Sequence, residues 1–125
     1  MDYYGQLGDG STTNKLLPTL IDNSMEWSSI STGYYHTVAL QSDGSLWAWG
    51  YNYYGQLGDG STTNKLLPTL IDNSAEWSYI SAGGTHTVAL QSNGTLWTWG
   101  DNQYGQLGDG TTEDKHIPSH IERDL

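Results

Sequence analysis

Residues 1–50 and 51–100 are nearly the same sequence: they differ only at positions 1, 2, 25, 29, 32, 34, 35, 43, 45 and 48 of the unit. The unit begins a third time at residue 101. A period of this length means a repeated supersecondary module that buries its apolar surface only against its neighbours. The expected organisation is two full repeats, about 1–50 and 51–100, and a partial one over 101–125. Similarity this close indicates recent duplication or deliberate construction. Units so alike can also exchange partners during folding.

Each repeat reads as four short strands. The first spans Glu26–Thr32 and Glu76–Ala82, anchored by Ile30 and Ile80 and broken by Gly33 and Gly83. The second is His36–Leu40 and His86–Leu90, where apolar and small polar residues alternate with a period of two. Asp43-Gly44 and Asn93-Gly94 then predict two-residue type I′ hairpins. The third strand, Leu46–Trp49 and Leu96–Trp99, is apolar on both faces, so a sheet is expected on either side of it. A Gly-Gln-Leu-Gly loop follows, and the fourth strand is Leu66–Ile71. Prolines 18, 68 and 118 lack an N–H, so they mark this strand as an edge. Four antiparallel strands, apolar on both faces and repeated in series, make a β-propeller blade. The fold class is all-β.

Charge excludes several functions. The 125 residues carry a formal charge of −10, with only Lys15, Lys65, Lys115 and Arg123 basic. Phosphate backbones and anionic membranes repel such a surface, so neither nucleic acid nor membrane is an expected partner. No cysteine is present to form a disulfide. The opening residues predict no signal peptide, and no apolar run is long enough to span a bilayer. Asn93-Gly94-Thr95 fits a glycosylation acceptor pattern but reads better as a turn.

Candidate chemistry is sparse. His36 and His86 have no nucleophile signature beside them, and each is expected to bond a neighbouring backbone group. His116 and His120 flank Pro118, which forbids a regular helix; on a strand they would lie ~13 Å apart, too far to share one zinc ion. Asp59-Gly60-Ser61-Thr62 and Asp109-Gly110-Thr111-Thr112 lack EF-hand ligand spacing and read as solvated turns. Gln6, Gln56 and Gln106 are expected to tie their loops through side-chain amides. No catalytic group, cofactor site or metal site is predicted.

Residues Gly33, His36, Thr37, Ala39, Leu40, Gly44, Leu46, Trp47, Trp49, Gly50, Asn52, Gly55, Gln56, Leu57 and Gly58 form one extended motif. It recurs one period later, with Gly83, His86, Thr87, Trp97, Trp99, Asn102 and Gln106 among its members. This motif closely resembles the repeat of the RCC1 (regulator of chromosome condensation) family. The resemblance implies a propeller of about seven blades. It further implies roles as an exchange factor for a small GTPase, a chromatin binder or a protein-binding module. The chain departs from that pattern in being too short for a full ring and in being acidic where chromatin binders need basic contacts.

An incomplete ring leaves blade faces bare. One face of four strands covers roughly 300 Å², and leaving it wet forfeits on the order of 8 kcal/mol. The expected remedy is homo-oligomerisation: copies join blade to blade until a ring closes. The N-terminal fourth strand (Leu16–Ile21) is expected to displace the more polar C-terminal one (His116–Ile121) of a neighbour. The copies vary most at Tyr34 and Tyr35 against Gly84 and Thr85, which marks a candidate binding face. The expected function is a non-catalytic, self-assembling scaffold or protein-interaction module. The alternatives are a lectin-like propeller, with Tyr and Trp stacking on sugars, and a fragment of a GTPase exchange factor.

Overall fold

The computed structural model describes residues 2–15, 19–21 and 26–121. Among these are eight strands: β1 (Trp27–Thr32), β2 (His36–Gln41), β3 (Leu46–Gly50), β4 (Lys65–Asp72), β5 (Trp77–Ala82), β6 (His86–Gln91), β7 (Leu96–Gly100) and β8 (Lys115–Ile121). They form two antiparallel sheets, ordered β1-β2-β3-β4 and β5-β6-β7-β8. The first strand of each repeat starts at Trp27 or Trp77, one residue later than the sequence suggests. Pro68 and Pro118 sit in β4 and β8, the last strand of each sheet, where a missing N–H breaks no ladder. Pro18, Arg123 and residues 16–18 of the N-terminal fourth strand lie outside the described residues, so the competition expected of that strand does too.

The two sheets pack face to face, and alternation along each strand decides what meets. On β2 and β3, Val38, Leu40, Leu46 and Ala48 point to the second sheet. Trp77, Ile80, Ala89 and Trp99 answer from the other side, and all eight are buried. A bulge makes this possible. The β5–β6 register slips between Trp77 and Tyr79, so Trp77 and Ile80 share a face despite their odd spacing.

The expected type I′ hairpins are not what forms. Neither Asp43 nor Asn93 has positive φ; only Gly44 and Gly94 do, at 86° and 87°. Gly44 N–H donates to Gln41 O at 2.9 Å, and Gln41 N–H donates to Ser45 O at 3.1 Å. This is a three-residue loop, with the glycine in the left-handed position. The Asp43 carboxylate accepts bonds from the Ser45 N–H and hydroxyl, at 2.9 and 2.6 Å, and those bonds lower its pKa. The side chain stabilises the turn from outside the backbone.

Ile30 is a second correction. It is 66% exposed, whereas Ile80, at the same place in the next blade, is 5% exposed. Both occupy the same position in their strand. Ile80 has a sheet in front of it and Ile30 has none.

Candidate blade-docking site

Three equivalent loops, here called clasps, span residues 2–15, 52–64 and 102–114. Each clasp is held by the residue at its start. Asn52 Oδ1 accepts the Leu57 N–H at 3.0 Å, and its Nδ2 donates to Asp59 Oδ1, Ser61 O and Thr63 O at 3.1, 3.0 and 3.0 Å. Asn102 repeats the set with Leu107, Asp109, Thr111 and Glu113. Gln6, Gln56 and Gln106 each accept a backbone N–H through Oε1, from Tyr4, Tyr54 and Tyr104. A lysine closes each clasp: Lys15 on Asp9, Lys65 on Asp59 and Lys115 on Asp109, at 3.0, 3.4 and 3.5 Å. Bonds from Thr111 hold the Asp109 carboxyl at about 2, against a smaller opposing effect of burial.

The clasp that joins the third and fourth strands of the first blade sits on the second blade. The clasp at 52–64 lies on the second blade. There Thr87 Oγ1 donates to Gln56 O at 2.8 Å, Gly60 N–H donates to His116 O at 2.8 Å, and Gly58 passes over the Trp99 indole. The clasp at 2–15 lies on the first blade in the same way, through Thr37 to Gln6 O, Gly10 to Leu66 O, and Gly8 over Trp49. Trp49 Nε1 also donates to Gln6 O at 2.9 Å. Positive φ at these glycines and the indole beneath Gly8 and Gly58 leave no room for a side chain. Around Gly105, Gly108 and Gly110 of the third clasp the space is open.

Between the blades the central polar contact is His36 Nε2 with Thr87 Oγ1, at 3.0 Å and fully buried. The sequence pointed to a backbone partner; the actual one is a hydroxyl on the neighbouring blade. Burial depresses the His36 pKa to about 4, with a further contribution from His86. The Ala82 N–H donates to Ser31 Oγ at 2.9 Å, and the Tyr34 N–H donates to Gly84 O at 3.2 Å.

The outer face of the first blade carries the same residues with a clasp at its side but no second sheet over it. On the first blade Trp27, Ile30, Ala39 and Trp49 line an apolar groove of about 520 Å³, with Thr37 and Leu7 at its side. These correspond to Trp77, Ile80, Ala89, Trp99, Thr87 and Leu57 of the filled junction. Trp47 and Trp97 stand edge-on to Trp27 and Trp77, at 5.8 and 5.9 Å between ring centroids. On the far side of the second blade, Val88, Leu90 and Leu96 are only half-buried. His86 there, its pKa lowered by burial against the pull of Asp101, bonds no other residue through its ring among the described residues.

The candidate binding face is divided. Tyr34 lies over Gly84, where a Cβ would come 3.0 Å from the ring. Thr85 instead donates to Asp101 Oδ2 at 2.9 Å. Tyr35 joins a larger aromatic network that the sequence reading missed. Tyr4 lies 5.2 Å from Tyr35 and 4.2 Å from Tyr51, and Tyr51 stacks on Tyr53 at 6.3 Å with Tyr54 edge-on. Among the described residues no tyrosine hydroxyl is spent on a hydrogen bond within the chain. The signal was the crowding of seven tyrosines at positions 3, 4, 34, 35, 51, 53 and 54. Strand periodicity alone does not bring those loops together. His116 packs beside Gly55, and the His120 ring tilts over Trp97 at 5.1 Å. Among the described residues no group of three or more metal-ligating side chains converges.

Comparison with known proteins places this geometry. The family model described as "Regulator of chromosome condensation (RCC1) repeat" matches residues 1–40, 43–90 and 93–124. A second RCC1 repeat model matches 27–56 and 77–106. The ultraviolet-B receptor UVR8 of Arabidopsis thaliana is 45% identical over 51 residues, which is 39% of this chain and 12% of the receptor. The X-linked retinitis pigmentosa GTPase regulator homolog of Caenorhabditis elegans is 39% identical over 54 residues, covering 42% of this chain and 4% of that protein. Among solved structures, Prp20p from Saccharomyces cerevisiae, described with its binding properties to Gsp1p and histones, superposes with a TM-score of 0.82 at 25% identity. The superposition covers 98% of this chain and 33% of Prp20p. Human WBSCR16 superposes with a TM-score of 0.81 at 26% identity, covering 96% and 33%. The chain therefore spans about a third of those propellers and a smaller share of the curated relatives. The two sheets are propeller blades, and they do not close a ring.

Proposed function

Because this chain belongs to the RCC1 repeat family, we propose that it is a non-catalytic propeller scaffold that assembles with copies of itself blade to blade. One observation carries the reading: the two bare faces hold the complementary halves of the junction already present inside the chain. His86 lacks the threonine that His36 has in Thr87. The Thr37 hydroxyl, which among the described residues bonds Gln6 O alone, lacks the histidine that Thr87 has. The groove over Trp27, Ile30 and Trp49 matches the apolar residues that the far face of the second blade presents. A head-to-tail contact of this kind is heterologous, and it closes into a ring where the rotation from copy to copy divides a full turn. Native mass spectrometry and sedimentation over a range of concentrations test it. Discrete oligomers that dissociate on dilution are the expected result, and a single-copy species at high concentration would remove the reading.

A second role rests on the tyrosine network. Rigid aromatic rings with unspent hydroxyls are well suited to gripping a protein segment. Relatives are described by what they bind, as Prp20p is with Gsp1p and histones. We therefore assign Tyr35, Tyr51 and Tyr53, with Tyr34 at their margin, to partner binding. A peptide array probed with the wild-type chain and with Tyr51→Ala should give hits that the variant loses. Hits on a glycan array instead would favour the lectin-like alternative. Accelerated nucleotide release from a small GTPase would favour the exchange-factor one.

A further inference from the structure

Two clasps contend for one place whenever copies meet head to tail. The clasp at 102–114 of one copy and the clasp at 2–15 of the next are equivalent, and both are shaped for the surface around Thr37, Trp49 and Leu66 of the first blade. They differ at five positions, Asp2/Asn102, Tyr3/Gln103, Ser11/Thr111, Thr13/Glu113 and Asn14/Asp114, and only the first of these is buried. At the start of the second and third clasps stands an asparagine, whose Nδ2 donates to three acceptors. The first clasp has Asp2 in its place, fully buried. Asp2 Oδ1 still accepts the Leu7 N–H at 2.9 Å, and its own N–H still reaches Asn14 Oδ1 at 2.7 Å. Oδ2 replaces the donor nitrogen and has no hydrogen-bond partner among the described residues. Its equivalent neighbours are the Asp9 carboxylate and the carbonyls of Ser11 and Thr13, all acceptors. Where Asn52 and Asn102 present amide N–H groups to these acceptors, the Asp2 carboxyl presents an oxygen.

The clasp that already sits on the first blade is thus the flawed one. The third clasp is complete inside and unoccupied outside: Gly105, Gly108 and Gly110 face open space, where Gly55, Gly58 and Gly60 meet His116, Trp99 and Ile117. We propose that self-association proceeds by clasp exchange, in which residues 102–114 of one copy displace residues 2–15 of the next and take their place on its first blade. The partner is a second copy of this chain, so the inference rests on the self-assembly proposed above. Its direction is opposite to the strand competition the sequence suggested. The polar atoms of the clasp decide it, because an unsatisfied buried oxygen outweighs the modest polarity of the C-terminal strand.

Asp2→Asn restores the missing donor and tests the exchange. The variant should be more heat-stable than wild type when dilute, and its association constant should fall by about tenfold, since its own clasp is harder to displace. Amide hydrogen exchange on the wild-type oligomer supplies a second readout: residues 102–114 should gain protection on assembly and residues 2–15 should lose it. If Asp2→Asn associates as tightly as wild type, or if residues 2–15 stay protected in the oligomer, exchange is overturned while self-assembly stands. If the wild-type chain never associates, both are overturned.

Discussion

His36 Nε2 lies 3.0 Å from Thr87 Oγ1, and that one hydroxyl links three segments. It meets the imidazole from the first blade and donates its proton to Gln56 O of the clasp at 2.8 Å. A proton can serve only one acceptor, so the imidazole is the donor in the His36–Thr87 bond and Nε2 carries the hydrogen. Sheet, neighbouring sheet and clasp are therefore joined at a single buried atom.

Replacing Thr87 by valine keeps the shape and removes that atom. His36 Nε2 and Gln56 O would be left buried without partners, which costs about 1–3 kcal/mol. Thr37→Val breaks only the bond to Gln6 O and should cost less, about 0.5–1.5 kcal/mol. Urea unfolding at a concentration where the chain is a single copy should rank the two variants in that order. Equal losses would mean that the histidine contact contributes nothing.

The same histidine sets a pH dependence. Its folded pKa is depressed to about 4 from an ordinary 6.5, chiefly by burial. Above pH 6.5 both folded and unfolded chains hold it neutral, and its contribution is level. Between pH 6.5 and 4 the unfolded chain binds a proton that the folded chain refuses, so stability falls as pH falls, by about 1.4 kcal/mol per unit. The lowered carboxylates, Asp59 and Asp109 among them, release their stabilisation in a lower window, below their ordinary 3.8. Denaturation midpoints measured from pH 7 to 4 should drop steadily in wild type. They should drop less in His36→Gln, which loses that imidazole and keeps only the dependence due to His86, whose pKa burial also lowers.

Much of this architecture was legible because the sequence repeats. The Asp-Gly and Asn-Gly turns, the double-faced Leu-Trp-x-Trp strand and the edge prolines placed all four strands of each blade. What escaped were relations that depend on neighbours. Ile30 and Ile80 hold the same place in strands that differ at Ser29/Tyr79 and Thr32/Ala82, and the blade in front of Ile80 is what buries it. The Trp77–Ile80 face depends on a bulge, which no period-two pattern announces. His36 finds its partner 51 residues away on another sheet. The tyrosine network gathers side chains from loops whose meeting is set by blade stacking.

That isoleucine pair gives a comparison with its own control. Ile80→Ala opens a cavity in the inter-blade core and should cost about 2–5 kcal/mol. Ile30→Ala, made where the side chain is two-thirds exposed, should stay within about 0.5 kcal/mol in the dilute chain. Under associating conditions Ile30 becomes the counterpart of Ile80, and its substitution should then weaken the oligomer. An Ile30→Ala variant that assembles like wild type would show that this face is not the one covered.

The glycines of the clasps carry the last expectation. Gly58 has a φ of 84° and a Trp99 Nε1 only 2.7 Å from where a Cβ would stand. Gly58→Ala therefore adds a steric clash to the ~1–2 kcal/mol cost of a left-handed residue. Gly108 has a φ of 73° and nothing near it, so Gly108→Ala should show the backbone cost alone. The dilute chain should tolerate Gly108→Ala the better of the two by thermal unfolding. In the proposed assembly the order changes, because residue 108 would lie over the Trp49 indole of the next copy. Gly108→Ala should abolish association while leaving the single copy folded, read as loss of the oligomer peak in native mass spectrometry with an unchanged circular dichroism spectrum.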